Sequence, residues 1–374
     1  MLQRLYIHNF RCLENFELIL KEMSSALLIG KNGSGKSTIA DALEVLQKIS
    51  QGVNRMRDLE QLDIISSKDF ARRRSDVPIR FEIEVLLDHK LYNYVLALEL
   101  PEKFSELRVS EEQLLVSGDP IYSRKEAQVT LYSSTQNREA QFRLDWHLVA
   151  LPVIQEQSET DPLHIFKTWL AQMIILAPIP SLMTGDSKGD TLEPRRDGSN
   201  FGEWISGLLS RYPAAYTKIY RYLRDVMPDI QDFLNEPVGK DSKSMIVRFE
   251  ANNANLHINF KDLSDGEKCF FICAVVLAAN EYYGSIFCFW DEPENYLSLS
   301  EIGYFVMSLR RSFKQKGQIL ATSHNEEAIR KFSDDNTFVL DRKSHLEPTL
   351  VRLLSDIPVT GDLINTLICG DIEL

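Results

Sequence analysis

A glycine-rich stretch near the start of the chain, residues 29–38 with the sequence IGKNGSGKST, has the residue types and spacing of a phosphate-binding loop. Residues 30–37 fit the pattern G-x4-G-K-S, with an apolar run before them and a helical pattern after them. In such a loop the backbone amides curl round a β-phosphate, Lys36 reaches the β- and γ-phosphates, and the Ser37 hydroxyl ligates Mg²⁺. The pattern therefore predicts binding of a nucleoside triphosphate with Mg²⁺. The residues expected to contact the nucleotide are Asn32, Gly33, Ser34, Gly35, Lys36, Ser37 and Thr38.

An acidic sequence, Asp291-Glu292-Pro293-Glu294, follows the apolar run at residues 286–290. A carboxylate at the end of a buried strand is costly unless it serves a cation or a reaction. Asp291 is therefore a candidate to hold Mg²⁺, indirectly or through water, and Glu292 is a candidate to orient and deprotonate an attacking water. These roles predict hydrolysis of the bound triphosphate. The alternative is a strand end that is merely polar.

The segment LSDGEK, residues 263–268, precedes a pattern typical of an apolar helix. Ser264 and Gly266 would lie at the helix start, where free amides and the helix dipole favour anions. Because the phosphate-binding loop already supplies one such position, a second suggests a second nucleotide contact. The same residues could simply cap the helix, and both interpretations stay open from the residues alone.

His324 follows the apolar run at residues 319–321, which predicts a position at the carboxyl edge of a sheet. Ligands of open α/β sheets bind at this edge. A single histidine is usually structural, but this one comes one strand after the Asp291-Glu292 pair. It is therefore a candidate to sense the γ-phosphate.

The spacing of apolar residues predicts the elements that position these groups. Alternation in the first 20 residues predicts strands, residues 79–100 predict a β-hairpin with one wet face, and an antiparallel layer is expected to about residue 151. Helical spacing predicts an insert at about residues 160–237, with Ser199 or Asn200 as an N-cap. Helices and strands then alternate from residue 266, which predicts a parallel sheet. The predicted domains are residues 1–155, an N-terminal lobe with the phosphate-binding loop and β layer; residues 156–243, a helical insert or lid; and residues 244–374, a C-terminal lobe.

The composition of the 374-residue chain, 44% apolar with a formal charge of -12, is that of a globular protein with a large core. No run approaches the roughly 18–20 apolar residues of a membrane span, and the start lacks a signal-peptide pattern, so we expect a cytoplasmic protein. Scattered cysteines suit a reducing compartment, and we expect Cys269 and Cys273 to be core residues rather than metal ligands.

The net negative charge gives the protein no overall electrostatic attraction to nucleic acid. Basic clusters at residues 72–74 and 195–196 are solvated loops or a local groove.

In this order, the four motifs resemble the ATP-binding-cassette type of ATPase, in the branch that contains SMC proteins, RecF and the OLD-family ATPases. The opening IHNFRCLENFEL, residues 7–18, is similar to the family's first strand and turn. The resemblance implies an α/β P-loop ATPase head that hydrolyses ATP to ADP and phosphate. Residues 192–209 resemble the lid of RecF-like predicted ATPases, without the long coiled coil of SMC proteins.

The resemblance also implies roles for particular residues. In that family two ATP molecules lie between two heads. Carried over, Arg11 approaches the nucleotide, Ser264 contacts the γ-phosphate held by the partner head, Glu292 is the catalytic carboxylate and His324 is the switch residue. The segment DEPENYLS, residues 291–298, is the loop that crosses to the partner. A homodimer or higher oligomer closed by ATP is therefore expected.

The chain departs from the family pattern in three places. Asp265 replaces the usual glycine in the segment that is expected to contact the nucleotide in trans. The glutamine-loop residue stays unassigned, with Gln47 and Gln61 as candidates. The long gap before Asp291 holds a β lobe and a compact insert. Apart from these three departures, we expect the tail after His324 to be too short for the metal-dependent TOPRIM domain of OLD-family nucleases.

Three functions remain as hypotheses. The leading one is an ATPase whose ATP-driven dimerisation controls a separate effector protein, a nuclease or toxin from the same operon, in defence against phage. The second is a RecF-like protein that binds DNA in its ATP form during repair or recombination. The third, the nucleotide-binding subunit of a membrane transporter, fits the motifs but not the β lobe, the gap or the lid.

Overall fold

The computed structural model describes residues 1–132, 139–252 and 254–357. Cys369 and most of the tail discussed above lie outside the described residues. Contacts divide the chain into two units: the first comprises Met1–Met23, Leu28–Met173 and the residues from Asp334 onward, and the second comprises Ser24–Leu27 and Ile174–Ser333. These bounds differ from the predicted division at residues 155/156 and 243/244, which stays a prediction.

The chain contains both helices and strands, including a run of six consecutive strands from residue 79 to residue 143, and has the predicted mixed α/β fold. The strands are β1 Leu2–His8, β2 Phe16–Ile19, β3 Ser25–Ile29, β4 Ile79–Leu87, β5 Lys90–Glu99, β6 Arg108–Val116, β7 Asp119–Lys125, β8 Gln128–Tyr132, β9 Glu139–Arg143, β10 Ile174–Leu176, β11 Asp186–Ser187, β12 Ile230–Pro237, β13 Lys243–Ala251, β14 Ala254–Asn259, β15 Phe287–Trp290, β16 Gln318–Thr322, β17 Thr337–Asp341 and β18 Leu350–Leu353. The helices are α1 Lys36–Ser50, α2 Met56–Gln61, α3 Pro162–Ala171, α4 Phe201–Arg211, α5 Ala215–Val226, α6 Asp265–Tyr282, α7 Leu299–Gln315 and α8 Glu326–Arg330.

The first unit is built on an antiparallel sheet with the strand order β2-β1-β4-β5-β6-β7-β8-β9. The predicted hairpin at residues 79–100 is confirmed as β4 and β5, which pair from Ile79 with Leu98 to Leu87 with Lys90. The two residues between the strands, Asp88 and His89, have φ of 46° and 63°. Two positive φ angles give the tight turn whose twist suits a hairpin.

A buried carboxylate on this sheet accepts hydrogen bonds from the segment that follows β9. Glu112 on β6 has no exposed surface. It accepts hydrogen bonds from the hydroxyls of Tyr94 at 3.1 Å and Tyr122 at 2.8 Å. It also accepts them from the backbone amides of Ala150 at 2.7 Å and Leu151 at 2.8 Å. Burial raises the pKa of Glu112, and the four donors offset the cost of placing the carboxyl there.

The first unit also holds the end of β3, which neighbours β17 and, beyond it, β18. Helix α1 follows β3 after the glycine-rich loop and buries the apolar face predicted from its spacing, as Ile39, Ala42, Leu43, Leu46 and Ile49 are all within the core. Because this face is buried, the start of α1 and the loop that precedes it are held in place.

The second unit contains parallel strands in the order β10-β15-β16, with the start of β3 next to β16. Helix α6 is buried from Lys268 to Asn280, and its apolar residues form much of the core of this unit. Although α6 is apolar, no helix in the described part of the chain is both long and apolar enough to span a membrane.

A second sheet in this unit has β13 between β12 on one side and β14 with β11 on the other. The strand pair predicted near residues 244–260 is confirmed as β13 and β14, which are antiparallel. Asn259 ends β14, and Ser264 precedes α6 after a single 3₁₀ turn at Phe260–Asp262. This sheet therefore leads directly into the start of α6.

The prediction of a helical stretch at residues 160–237 is wrong in part. Helices α3, α4 and α5 lie there, but β10, β11 and β12 interrupt them. A short apolar run such as Ile174–Leu176 does not distinguish a buried strand from a helix by period alone. Asn200 does occupy the N-cap position of α4, but its side chain accepts a hydrogen bond from the backbone amide of Arg195 at 2.7 Å and does not cap the helix.

Candidate nucleotide-binding and catalytic sites

The phosphate-binding loop of the first unit has a backbone that only glycine allows. Gly33 and Gly35 have φ of 80° and 99°, in the left-handed region that disfavours side chains. At Gly30 a Cβ atom would lie 2.2 Å from the carbonyl oxygen of Leu340 on β17. The predicted strand-loop-helix context is present, because β3 ends at Ile29 and α1 begins at Lys36. The loop thus has the cradle that a phosphate requires.

Lys36 lies at the first position of α1 with only 6% of its surface exposed. Its Nζ donates hydrogen bonds to the carbonyl oxygens of Gly30 at 2.7 Å and Lys31 at 3.2 Å. The ammonium is therefore held inside the curve of the loop, where it would meet an anionic ligand. Ser37, next in the helix, is exposed.

Two residues that the sequence did not single out, Cys12 and Thr349, pack against this loop. A Cβ on Gly35 would lie 2.8 Å from Cys12 Sγ and 2.9 Å from Thr349 Oγ1. Thr349 donates its hydroxyl to the carbonyl oxygen of Ser34 at 2.8 Å and its amide to that of Cys12 at 3.0 Å. Cys12 lies in the opening segment at residues 7–18, but nothing in that segment assigns it a contact with the loop. Thr349 belongs to no motif and is distant from the loop in sequence, so no sequence signal identifies it.

Arg11, predicted to approach the nucleotide, contacts two acidic residues in the first unit. Its Nε donates to Asp69 Oδ1 at 2.8 Å, and its Nη1 is paired with Asp41 Oδ2 on α1. The backbone at Arg11 has φ of 52°. These contacts hold the guanidinium beside α1, and its contact with nucleotide stays a prediction.

In the second unit, the ends of β15 and β16 bring the predicted acidic residues next to Thr322. Its hydroxyl donates to Asp291 Oδ1 at 2.6 Å and accepts from the backbone amide of Glu292 at 2.9 Å. Parallel neighbouring strands end at the same sheet edge, so the two segments meet there. Asp291 is thereby oriented by a hydroxyl from the adjacent strand.

The structure brings Glu292 and His324 together. Nε2 of His324 lies 3.2 Å from Oε1 of Glu292. The other carboxylate oxygen, Oε2, accepts a hydrogen bond from Nδ2 of Asn295 at 2.6 Å. One third of the Glu292 side chain is exposed, so water can reach a carboxylate whose two oxygens are both held by neighbours.

Glu294 is a third acidic residue of this cluster that sequence reasoning did not assign. It is 5% exposed and accepts a hydrogen bond from the hydroxyl of Ser323. Ser323 Oγ in turn accepts from the backbone amide of Asn325 at 2.9 Å. Burial raises the pKa of Glu294 to about 7. Its place in the same four-residue motif as Glu292 was the available signal.

Ser264 forms a capping box at the start of α6. Its hydroxyl accepts from the backbone amide of Glu267 at 3.3 Å, and the Glu267 carboxylate accepts from the Ser264 amide at 2.7 Å. In a single copy of the chain, Ser264 therefore acts as a helix cap, as one of the two interpretations predicted. Gly266 lies close to the segment after Asn295, because a Cβ there would be 3.0 Å from the carbonyl oxygen of Tyr296. The contact of Ser264 and Gly266 with nucleotide in trans stays a prediction.

The other candidates have structural surroundings. Gln47 is buried in α1 and donates to the carbonyl oxygens of Met173 and Ala171, while Gln61 is exposed at the end of α2. Neither position identifies a glutamine loop. Cys269 and Cys273 are buried in α6, as expected for core residues, and burial raises the pKa of the Cys269 thiol to about 12.

The basic cluster at residues 72–74 is largely ion-paired. Arg72 lies 2.5 Å and Arg74 3.6 Å from the same carboxylate oxygen of Glu14. On the antiparallel sheet Arg80 likewise pairs with Glu82 and Glu111, each at 2.6 Å. These arginines are therefore partly neutralised within the chain.

The donor set suits the predicted Mg²⁺. A serine hydroxyl and an aspartate carboxylate, Ser37 and Asp291, are the oxygen ligands that Mg²⁺ takes alongside water and phosphate oxygens. No group of three or more His, Cys, Asp or Glu side chains in the described residues could hold a metal ion by itself. Mg²⁺ is usually bound through one or two protein ligands together with substrate phosphates, and Ser37 in the first unit and Asp291 in the second each have the donor type of such a ligand.

A protein-family model, the RecF/RecN/SMC N-terminal domain, matches residues 1–345. The chain belongs to this RecF/RecN/SMC family. None of the curated proteins compared with it matches. A solved SMC head bound to the C-terminal winged-helix domain of ScpA is 14% identical, with 95% of this chain and 98% of that chain covered at a TM-score of 0.55. An SMC head with an extended coiled coil, bound to the C-terminal domain of ScpA and derived from Pyrococcus furiosus, is 13% identical, with 95% and 97% covered at a TM-score of 0.50.

Membership of the RecF/RecN/SMC family confirms the predicted branch, and the likeness to SMC heads confirms the predicted fold class. The identities are low, so the solved structures inform the fold alone. An ATPase-head fold that carries an intact phosphate-binding loop supports binding and hydrolysis of ATP. The roles of individual residues remain predictions.

Proposed function

We propose that this RecF/RecN/SMC-family protein binds and hydrolyses ATP, and that two copies close head to head on ATP to control a partner effector. The observation that carries the proposal is the pairing of Glu292 with His324 at 3.2 Å, at the end of β15. A carboxylate held against an imidazole in a partly exposed position is suited to accept a proton from water.

Each predicted site residue has a distinct task. Lys36 and the loop amides bind the phosphates, and Ser37 and Asp291 are each a proposed ligand of Mg²⁺. When bound, Mg²⁺ supplies positive charge that offsets the charge of the phosphate oxygens. Glu292 accepts the proton of the attacking water, and His324 holds one oxygen of that carboxylate. Thr322 fixes Asp291 through the 2.6 Å hydrogen bond.

Dimer closure is assigned to the start of α6 and the segment at residues 291–298. The free amides at the start of α6 favour an anion, here the γ-phosphate bound by the partner copy. Tyr296, whose carbonyl oxygen lies next to Gly266, is 53% exposed, and Leu299, the first residue of α7, is 74% exposed. Exposed apolar side chains within and just after this segment are suited to a protein contact. Two sandwiched ATP molecules would stabilise the closed form, and hydrolysis would reverse it.

The output is proposed to be a separate protein. One of the solved SMC heads is bound to a winged-helix domain of ScpA, and by analogy this head would act on a protein partner. The resemblance to OLD-family ATPases suggests a nuclease or toxin encoded in the same operon, in cytoplasmic defence against phage.

ATP-dependent DNA binding, as in RecF, is the less supported alternative. It requires a basic surface, and the arginines at residues 72–74 are paired with Glu14 in part. A net charge of -12 adds to this difficulty.

The full chain tests the proposal directly. We expect ATP hydrolysis by the wild-type protein and a mass that doubles with ATP but not with ADP in analytical ultracentrifugation. Lys36→Ala should lose ATP binding, since the buried ammonium is lost from the loop, whereas Lys48→Ala in the last turn of the same helix should keep it. Equal ATP affinity in the Lys36→Ala variant and the wild type would refute nucleotide binding by this loop.

A further inference from the structure

We propose that Asn295 is a positioning residue that fixes the carboxylate of Glu292 for reaction with water. The proposal rests on the proposed function, because it requires Glu292 to act as the base. Nδ2 of Asn295 lies 2.6 Å from Oε2 of Glu292, while His324 lies 3.2 Å from Oε1. With a partner on each oxygen, both the side-chain rotamer and the plane of the carboxylate are defined.

The amide of Asn295 has the chemistry this task needs. It donates a hydrogen bond to an anion, and such a bond is stronger than one between neutral groups. An amide carries no charge and does not titrate, so it does not compete with Glu292 for the proton of water. An aspartate at this position would have the same shape but would repel Glu292 and offer no donor when ionised. The interaction therefore depends on an amide in particular.

The backbone of Asn295 is itself held in place. Its amide donates to the carbonyl oxygen of Glu292 at 3.1 Å, which closes a tight turn. The thiol of Cys269, buried in α6, lies 3.8 Å from the carbonyl oxygen of Asn295. The next residue, Tyr296, packs against Gly266 at the start of the same helix. Helix α6 thus fixes the segment from which the Asn295 amide reaches Glu292.

The backbone of Glu292 gives a reason for this support. Its φ is 48°, a left-handed conformation that is rare for a residue with a long side chain. Non-glycine residues in this region cost free energy and persist where neighbours hold them. Asn295, His324 and the hydroxyl of Thr322 at the Glu292 amide are the neighbours that hold this one.

A purely structural role for Asn295 is the alternative, and variants separate the two. Asn295 is exposed, so its replacement removes little packing. Asn295→Leu has nearly the same size without a donor, Asn295→Asp adds repulsion, and Asn295→Gln keeps the amide. Asn252→Asp makes the same chemical change at an exposed turn residue between β13 and β14 and is the matched control.

The experiment measures kcat and KM for ATP, together with the Kd for ATP and the melting temperature, in the full chain. We expect kcat to fall about tenfold or more in Asn295→Leu and further in Asn295→Asp, in line with the loss of a positioned catalytic group. Asn295→Gln should recover part of kcat. The Kd for ATP and the melting temperature should stay near the wild-type values, and Asn252→Asp should match the wild type throughout.

Three outcomes for Asn295→Leu would overturn the proposal. These are an unchanged kcat, an increased kcat, and a decrease in kcat that is accompanied by comparable decreases in ATP affinity and melting temperature. The comparison of Asn295→Leu with Asn295→Gln decides the matter if Asn295→Asp does not fold. Failure here is distinct from failure of the proposed function. A wild-type protein without ATPase activity refutes the latter, whereas an active wild type with an equally active Asn295→Leu variant refutes only the role of Asn295.

Discussion

The hydroxyl of Ser323 donates a hydrogen bond to the carboxyl group of Glu294, which is almost completely buried. Ser323 directly precedes His324, and Glu294 lies two residues after Glu292. The contact of Glu294 with Ser323 and the contact of Glu292 with His324 therefore link the same two segments. These contacts join the chain that follows β15 to the chain that follows β16. Because Glu294 is buried, its titration should make the stability of the protein depend on pH.

Glu294→Gln should become more stable relative to the wild type as the pH rises. Burial raises the pKa of Glu294 from 4.5 to about 7, so between these values the folded protein keeps a proton that the unfolded chain releases. The wild-type free energy of unfolding therefore falls across this window, by up to about 3 kcal/mol. Urea unfolding at pH 5 and pH 8 measures the difference. Glu102→Gln, an exposed site, is the control, and an equal pH dependence in wild type and Glu294→Gln would contradict the prediction.

Glu292→Gln should bind ATP but hydrolyse it at least about 100-fold more slowly, because an amide cannot accept the proton of water. A closed dimer should then accumulate with ATP, which sedimentation measures. Glu326→Gln makes the same change on the exposed start of α8 and should retain activity. Normal turnover in Glu292→Gln would assign the base to another residue.

Ser264→Arg should prevent ATP-dependent dimerisation while each copy still binds ATP, because a bulky cation would occupy the expected contact with the partner. Ser242→Arg, in the exposed turn between β12 and β13, is the control. Ser264→Ala separates the effect of bulk from the loss of the cap, which costs about 1 kcal/mol.

A mixture of inactive Lys36→Ala and Ser264→Arg variants should regain part of the hydrolysis rate. In the mixed dimer one composite site has both a wild-type Lys36 and a wild-type Ser264. The steady-state rate of the mixture, compared with that of each variant alone, measures this recovery. A mixture that stays inactive although mixed dimers form would count against action in trans.

Glu112→Ala should destabilise the protein by about 3–5 kcal/mol, since two tyrosine hydroxyls and two backbone amides lose a buried acceptor. The neighbouring residue Glu111 forms an ion pair with Arg80, and the Glu111 side chain is about half exposed. Glu111→Ala should cost no more than about 1 kcal/mol. Urea unfolding of both variants tests the contrast, and similar costs would mean that the buried network contributes little.

Much of the fold was predictable because local signals agreed with the final structure. The glycine loop, the hairpin at residues 79–100 and the strands at Phe287–Trp290 and Gln318–Thr322 follow from patterns within about ten residues. The positions of Glu292 and His324 at the carboxyl ends of two strands also followed from these patterns. The 3.2 Å contact between the two side chains did not.

The remaining features depend on contacts between distant parts of the chain. Thr349 reaches the phosphate-binding loop from far away in sequence. Asn295 reaches Glu292 through a turn whose shape no motif specifies. Strand β10 was missed because three apolar residues have no readable period. Its strand identity comes from pairing with β15.

The hydrogen bond from Thr349 to the carbonyl oxygen of Ser34 limits how the chain can be shortened for expression. The family match ends at residue 345, four positions before Thr349. A recombinant fragment trimmed to that boundary would keep every nucleotide-binding motif yet leave the Ser34 carbonyl and one side of Gly35 uncovered. Biochemical work on a minimal head should therefore keep Thr349 and the strand β18 that follows it.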